Sequence, residues 1–221
     1  MDINFSLIWD ALPLLLAGAG ITIEITALSV GFGLLIGMTV GIARLASIKP
    51  VRYFANCYVD FIRGTPLLVQ IFLVYFALPG IIGHRVDPYF AAISACSINS
   101  GAYIAEIFRA GILAVDKGQA EAARSLGLSK WQSMRLVVLP QAVKNVLPAL
   151  ANEMVTMVKE SSICSVLGMA ELMFAAKTIA GSTGISLAPY TLAALVYFCI
   201  NYPASKGIEA IERRMRRGDK Q

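Results

Sequence analysis

Residues 21–43, ITIEITALSVGFGLLIGMTVGIA, contain one charged side chain, Glu24, in 23 positions. An α-helix needs about 20 apolar residues to cross the hydrocarbon core of a bilayer, so this run alone excludes an ordinary soluble fold. Comparable runs lie at about 58–79, 88–114, 141–159 and 187–205. Hydrophobic residues make up 57% of the 221 and charged residues 15%, with a mean hydropathy of +0.68; soluble domains carry about 25% charge. Backbone N–H and C=O groups find no water in lipid, which leaves helices satisfied from within. The expectation is an all-α integral membrane protein: a single transmembrane domain over 1–221 with five helices and an apolar, Pro- and Gly-containing stretch at the interface before the first.

Composition also removes several chemistries. His84 is the only histidine, which excludes HExxH and Ser-His-Asp sites. Cys57, Cys96, Cys164 and Cys199 lie in or beside apolar runs without ligand spacing, as buried small residues do. No GxxxxGK[ST] loop is present to hold a nucleotide. Asp2 and Asp10 precede the apolar N-terminal stretch without lysine or arginine, unlike a signal peptide. The net charge of +5 lies between and after the apolar runs rather than in a basic patch interleaved with aromatics, so nucleic acid is not a partner. No catalytic residue and no metal site is expected.

The positive residues orient the chain. With the N-terminus outside, Arg44, Lys49, Arg52, Arg63, Arg109, Lys117, Arg124, Lys130, Arg135 and Lys144 fall on the inner side. So do Lys206, Arg213, Arg214, Arg216, Arg217 and Lys220, leaving Arg85, Lys159 and Lys177 elsewhere. Cytoplasmic loops carry such an excess, which predicts N-terminus out and C-terminus in.

Ser29, Gly33, Gly37 and Gly41 recur every four residues, a face that admits a close helix neighbour. Glu24 reads as an acid reaching the headgroups. Glu106 with Arg109, and Asp60 with Arg63, read as ion pairs near inner helix ends. In the tail, Glu209–Arg213 and Glu212–Arg216 are spaced for i,i+4 pairs, and Ile208, Ile211 and Met215 mark an apolar stripe.

Residues 117–140 break the apolar pattern. Asp116 suits an N-cap with Gln119 reaching back, Gly127 suits a left-handed C-terminus, and Ser129 with Gln132 forms a capping box. Pro140 fits the kinked entry or the first turn of the next span. The expectation is helix, sharp turn, helix, membrane; an amphipathic hairpin on the headgroups and a docking element for a partner both fit.

Glu121-Ala122-Ala123, Gly127 and Val137-Val138-Leu139-Pro140 have the spacing of the EAA signature (EAA-x3-G-x9-I-x-LP), with Val137 where isoleucine is usual. IRGTPLLVQ at 62–70, INSGAYIAEIFRAGI at 98–112 and VKESS at 158–162 resemble the polar amino acid subfamily. The chain thus resembles permease subunits of ABC importers of polar amino acids, over nearly its whole length. The resemblance implies a multi-pass protein of the bacterial cytoplasmic (inner) membrane and a coupling helix over Glu121, Ala122, Ala123 and Gly127 seated in an ATPase subunit. It also implies two ATPase copies holding ATP and Mg, a second permease copy or paralogue, and an extracytoplasmic amino-acid-binding protein. The permease itself would be no enzyme and hold no cofactor.

Polar residues inside spans mark candidate substrate contacts because they are costly in hydrocarbon. Asn99, Tyr103 and Glu106 share one face of the third span; Glu153, Thr156 and Glu160 share one face of the fourth, with Lys159 adjacent. An internal salt-bridge set also fits these charges. As a substrate site, Lys159 with Ser161 and Ser162 would take a carboxylate, and Glu160 or Glu153 an ammonium. Ser165 and Gly168 then suggest a broken helix, the usual place for a transporter site. Together with Asn99 and Tyr103 these define the candidate site. Two acids in it favour a basic amino acid (arginine, lysine or histidine) over glutamine or another polar one. The rival readings are a non-transporting membrane scaffold, an intramembrane hydrolase and an ion-driven carrier; only a transporter accounts for the polar stripes, and only a docked one for residues 121–140.

Overall fold

The computed structural model describes residues 5–218, with side chains from 9 to 215; Asp2 and Lys220, and the side chains of Arg216 and Arg217, lie outside these. So does the proposed Glu212–Arg216 pair. Eight helices and no strand occur among the described residues. They are α1 (Phe5–Arg44), α2 (Lys49–Arg63), α3 (Leu67–Ile82), α4 (Pro88–Leu113), α5 (Lys117–Ser125), α6 (Lys130–Leu167), α7 (Leu172–Thr183) and α8 (Leu187–Gly218).

The apolar stretch before residue 21 is not a separate interfacial segment. It continues α1 through Pro13, giving a helix apolar from Trp9 to Arg44, 36 residues. At about 1.5 Å per residue this exceeds a bilayer core of about 30 Å. Nor is the second predicted span, 58–79, continuous: α2 and α3 meet at 106°. Pro66 drives the residue before it out of the helical region, and the Gln70 side chain secures the corner. Its Nε2 donates to the carbonyls of Ile62 (2.8 Å) and Thr65 (3.1 Å) and to Thr65 Oγ1 (3.0 Å).

Two prolines have the same local consequence. Leu73–Ala77 and Met134–Val138 form π-helical turns, each ending two residues before a proline, Pro79 and Pro140. A proline ring clashes with the carbonyl four residues back, and widening the turn relieves it. Pro140 thus stands at a distorted entry to the fourth span, whose helix is not confined to the expected 141–159. The capped helix at Ser129 runs straight into it, and α6 extends to a 3₁₀ stretch at Ser161–Leu167. Gly168, at φ +80°, ends that stretch, and α7 follows, a helix the sequence showed only as a short apolar stretch.

By length and apolarity α1 qualifies as a span, and the bent pairs α2–α3, α4–α5 and α6–α7 qualify when each is taken as one. The fifth predicted run, 187–205, falls short of that measure, diluted by Tyr190, Tyr197, Asn201 and Tyr202. It forms the first half of α8, which continues unbroken into the basic tail.

The core is built around α1 against α4. Ser29, Gly33, Gly37 and Gly41 are all buried, and a Cβ added at Gly37 would stand 2.5 Å from Ile104 Cγ2. Ile25, Leu67, Ile71, Ala95, Cys96 and Met157 fill the centre, and Leu15, Leu172 and Ile179 pack α1 on α7. Large apolar side chains such as Phe32, Leu35, Ile42 and Leu195 face outward, as lipid contact requires. In the tail Arg213 lies 3.7 Å from Glu209, and Lys206, 2.9 Å away, holds the Glu209 carboxyl below the usual range. Ile208 and Met215 line a groove of about 740 Å³ against Lys144–Asn152 of α6, whereas Ile211 is exposed.

Candidate functional site

Glu153 is buried in the middle of α6, 7% exposed, and accepts a hydrogen bond from Ser100 Oγ of α4 at 3.0 Å. Beside Ser100, Asn99 is buried against the α2–α3 corner. Gln70 Nε2 already donates to three oxygens, so its Oε1 faces Asn99 and accepts from Asn99 Nδ2 at 3.0 Å. This fixes the Asn99 amide and leaves its Oδ1 buried with no hydrogen-bond partner. A buried acceptor without a donor costs about 1–3 kcal/mol, and such orphans in a native fold need an explanation. Glu153 and Asn99 Oδ1 are thus two buried acceptors, the first bonded to Ser100 and the second carried by the residue before it on α4.

The other expected site residues divide. Tyr103, one turn along α4 from Asn99, carries the Arg63 guanidinium over its ring, 5.2 Å from the centroid. Lys159 is exposed, and the hydroxyls assigned to a carboxylate are occupied. Ser161 Oγ donates to the Val158 carbonyl (2.9 Å) and Ser162 Oγ to the Lys159 carbonyl (2.6 Å), both inside their own helix end. The expected anion site is therefore not assembled from these three side chains in this structure.

Glu106 makes the expected bond to Arg109 (2.6 Å), but its other close partner, Arg44 at 2.5 Å, comes from the end of α1. Arg63 lies 3.7 Å from the same carboxylate and over Tyr103, not on Asp60. Arg44 Nε also donates to Asn56 Oδ1 at 2.7 Å, so three helices, α1, α2 and α4, meet around one acid.

Glu171 is a further buried acid, outside the expected site residues. Its carboxylate accepts from the N–H groups of Met173 (2.9 Å) and Phe174 (2.7 Å) and from Tyr197 O–H (2.9 Å). The signal was present, an acid directly before the apolar stretch of α7, where an N-cap belongs.

Residues 117–140 fold as their caps dictate. Asp116 accepts from Gly118 N–H (2.6 Å), and Ser129 and Gln132 complete the capping box in both directions (3.2 and 2.9 Å). Gly127 adopts φ +88°, with Leu128 N–H returning to the Ala123 carbonyl at 3.2 Å. Gln119 does not reach back to Asp116; its Oε1 accepts from Gln141 of α6 at 3.3 Å. Val115, Val138 and Ala142 pack beneath this hairpin with Ala120 and Met134. Ala123 is buried, Glu121, Ala122 and Gly127 are exposed, and Leu126 (85%) and Trp131 (67%) project outward.

A helical membrane core with polar groups buried at mid-helix, joined to a rigid hairpin with an exposed apolar edge, is the build of a transporter's membrane subunit. The family described as "Binding-protein-dependent transport system inner membrane component" matches residues 10–217. The arginine transport system permease protein ArtQ of Bacillus subtilis (strain 168) is 38% identical, over 99% of this chain and its own full length. The glutamine transport system permease protein GlnP of Escherichia coli (strain K12) is 39% identical, over 98% of this chain and 99% of its own. A crystal structure of an amino acid ABC transporter with histidines superposes at TM-score 0.93, with 44% identity over 97% of this chain and 100% of that one. An inward-facing MetNI methionine ABC transporter, 23% identical over 96% of this chain and 99% of that one, shares the fold at TM-score 0.77. The chain belongs to the binding-protein-dependent transport family, and it is a permease subunit of an amino acid ABC importer. Such a permease works with a separate ATPase subunit and a substrate-binding protein.

Proposed function

We propose that this permease, one domain over residues 1–221, imports a basic amino acid through a site built on Glu153 and Asn99, with Tyr103 and Glu160 at its margin. The observation that carries this is the buried Glu153 carboxylate, bonded to Ser100, whose neighbour in sequence, Asn99, has a buried Oδ1 without a donor. A guanidinium or ammonium supplies several donors and a positive charge to the two at once. That relatives are named for arginine and for glutamine agrees with a polar substrate and leaves the choice to these residues. The chain crosses the bacterial cytoplasmic membrane five times, N-terminus out and C-terminus in. Two copies, or one with a paralogue, enclose the pathway, and two ATPase subunits bind ATP and Mg. Each ATPase receives the hairpin at Glu121, Ala122, Ala123 and Gly127. An extracytoplasmic binding protein delivers substrate, and the hairpin's differential affinity for two ATPase states transmits the motion. This chain does no bond-making and holds no cofactor.

The test is uptake of labelled arginine and glutamine by the reconstituted importer carrying Glu153→Gln. Arginine uptake falls more than glutamine uptake. An unchanged ratio of the two rates overturns the basic preference, and absence of substrate-stimulated ATP hydrolysis in the wild type would point to a scaffold.

A further inference from the structure

An amino acid brings a carboxylate to its site as well as cations, and none of the groups assigned so far receives it. Lys159 is exposed, and the Ser161 and Ser162 hydroxyls are spent on backbone carbonyls. One cation, at the corner that Gln70 joins to Asn99, stands out by what it lacks. Glu106 is held by Arg44 at 2.5 Å and by Arg109 at 2.6 and 3.3 Å, two full guanidinium charges on one carboxylate. Arg63, 3.7 Å from the same acid, is beyond hydrogen-bonding distance, and its side chain is 39% exposed. Its guanidinium rests on the Tyr103 ring, 5.2 Å from the centroid and one helical turn along α4 from Asn99.

The corner that positions Arg63 is the one that orients Asn99. Arg63 ends α2, and Gln70 both staples the following bend and accepts from Asn99 Nδ2. One residue therefore sets the separation between a guanidinium with unused donors and an acceptor with none. We propose that Arg63 is the carboxylate-binding residue of the substrate site, its guanidinium taking the α-carboxylate while Glu153 and Asn99 take the cationic groups. The inference rests on the placement of the site at Glu153. Arg63 offers the planar fork that matches a carboxylate in two bonds, which an ammonium does not, and Tyr103 holds that fork flat and oriented.

The experiment compares arginine with agmatine, the same molecule without its carboxylate, by calorimetry on the purified permease–ATPase complex. Arg63→Gln weakens arginine about tenfold or more and leaves agmatine the same or tighter, since a repelling charge has gone. Arg63→Lys keeps the charge, loses the fork and falls between. Arg44 and Arg109 still hold Glu106 in both variants, so the melting temperature stays near wild type. Should the wild type prefer glutamine, glutamine and 4-aminobutanamide make the equivalent pair. Equal loss of both ligands in Arg63→Gln, or loss of neither, overturns the proposal. Failure of Glu153→Gln to weaken agmatine overturns the Glu153 site instead, so the two failures are distinguishable.

Discussion

Ser100 and Glu153 join α4 to α6 by a 3.0 Å hydrogen bond in the buried middle of the protein. Glutamine at 153 still accepts that bond through its Oε1, so Glu153→Gln keeps the helix contact and removes only charge. Arginine uptake is expected to drop about tenfold or more, with glutamine uptake changing about twofold at most by the same reasoning. Ser100→Ala separates the hydroxyl from the charge. It removes one neutral donor and should lower arginine affinity less than fivefold, at roughly 1 kcal/mol per bond. Parallel uptake assays on the two variants check this order, and a larger effect from Ser100→Ala would move the substrate contact from Glu153 to the hydroxyl.

The small-residue face of α1 predicts a contrast. A Cβ at Gly37 meets Ile104 Cγ2 at 2.5 Å and the Gly101 carbonyl at 2.9 Å, whereas at Gly31 it meets nothing within 4 Å. Gly37→Val should cost about 1–3 kcal/mol by forcing α1 from α4, and Gly31→Val should be silent. Melting curves in detergent measure both. Equal melting temperatures would mean that the α1–α4 contact gives way without cost.

That face was legible in the sequence because a four-residue repeat of small residues has one geometric meaning on a helix. So were the Ser129–Gln132 capping box and Gly127, where the side chain itself determines the backbone. The 106° corner was not, because hydropathy is blind to direction: 58–79 reads as one oily run although Thr65-Pro66 carries the break. The Glu106 cluster was half legible. Arg109 is a helical neighbour, but Arg44 is 62 residues away and reaches it only through tertiary packing. The partners of the serine hydroxyls were not legible either. A free hydroxyl in a sequence becomes a backbone donor once the helix end tightens into a 3₁₀ turn.

Glu106 concentrates much of the stability where α1, α2 and α4 meet. Arg44 has a side chain 8% exposed and Glu106 21%, so Glu106→Gln leaves a nearly buried guanidinium without its counter-ion. Removing one partner of a buried pair costs about 3 kcal/mol. The expected result is a lowered melting temperature with unchanged arginine affinity in the protein that remains folded. A loss of affinity with unchanged melting would instead make Glu106 part of the binding site.

Coupling is tested at Gly127. No neighbouring atom lies within 4 Å of a Cβ there, so space is not the constraint; φ +88° is. An L side chain in that region is strained by up to about 1–2 kcal/mol, less for Asp or Asn than for others, and at the exposed turn it also adds bulk and, as Asp, a charge. Gly127→Asp, or a bulky residue at the buried Ala123, should abolish transport and substrate-stimulated ATP hydrolysis. Helical content and membrane insertion, followed by circular dichroism and fractionation, should stay as in the wild type. Normal stimulation of ATP hydrolysis in Gly127→Asp would remove the hairpin from the coupling path.

Glu171 supports the break after α6 rather than the substrate. It caps α7 through two backbone N–H groups and holds Tyr197 of α8, while Leu172 N–H donates to Thr22 Oγ1 of α1 at 3.2 Å, tying three helices at one corner. Glu171→Ala removes the cap, at about 1–2 kcal/mol, and strands the Tyr197 hydroxyl, at about 1–3 kcal/mol more. Glu171→Gln retains one carbonyl oxygen for the N–H groups and should lose less. Melting temperature is therefore expected to fall in the order wild type, Glu171→Gln, Glu171→Ala, with arginine affinity of the glutamine variant within about twofold of wild type, since its cap is mostly kept. If Glu171→Gln weakened arginine as much as Glu153→Gln does, the corner would belong to the substrate path and not to its frame.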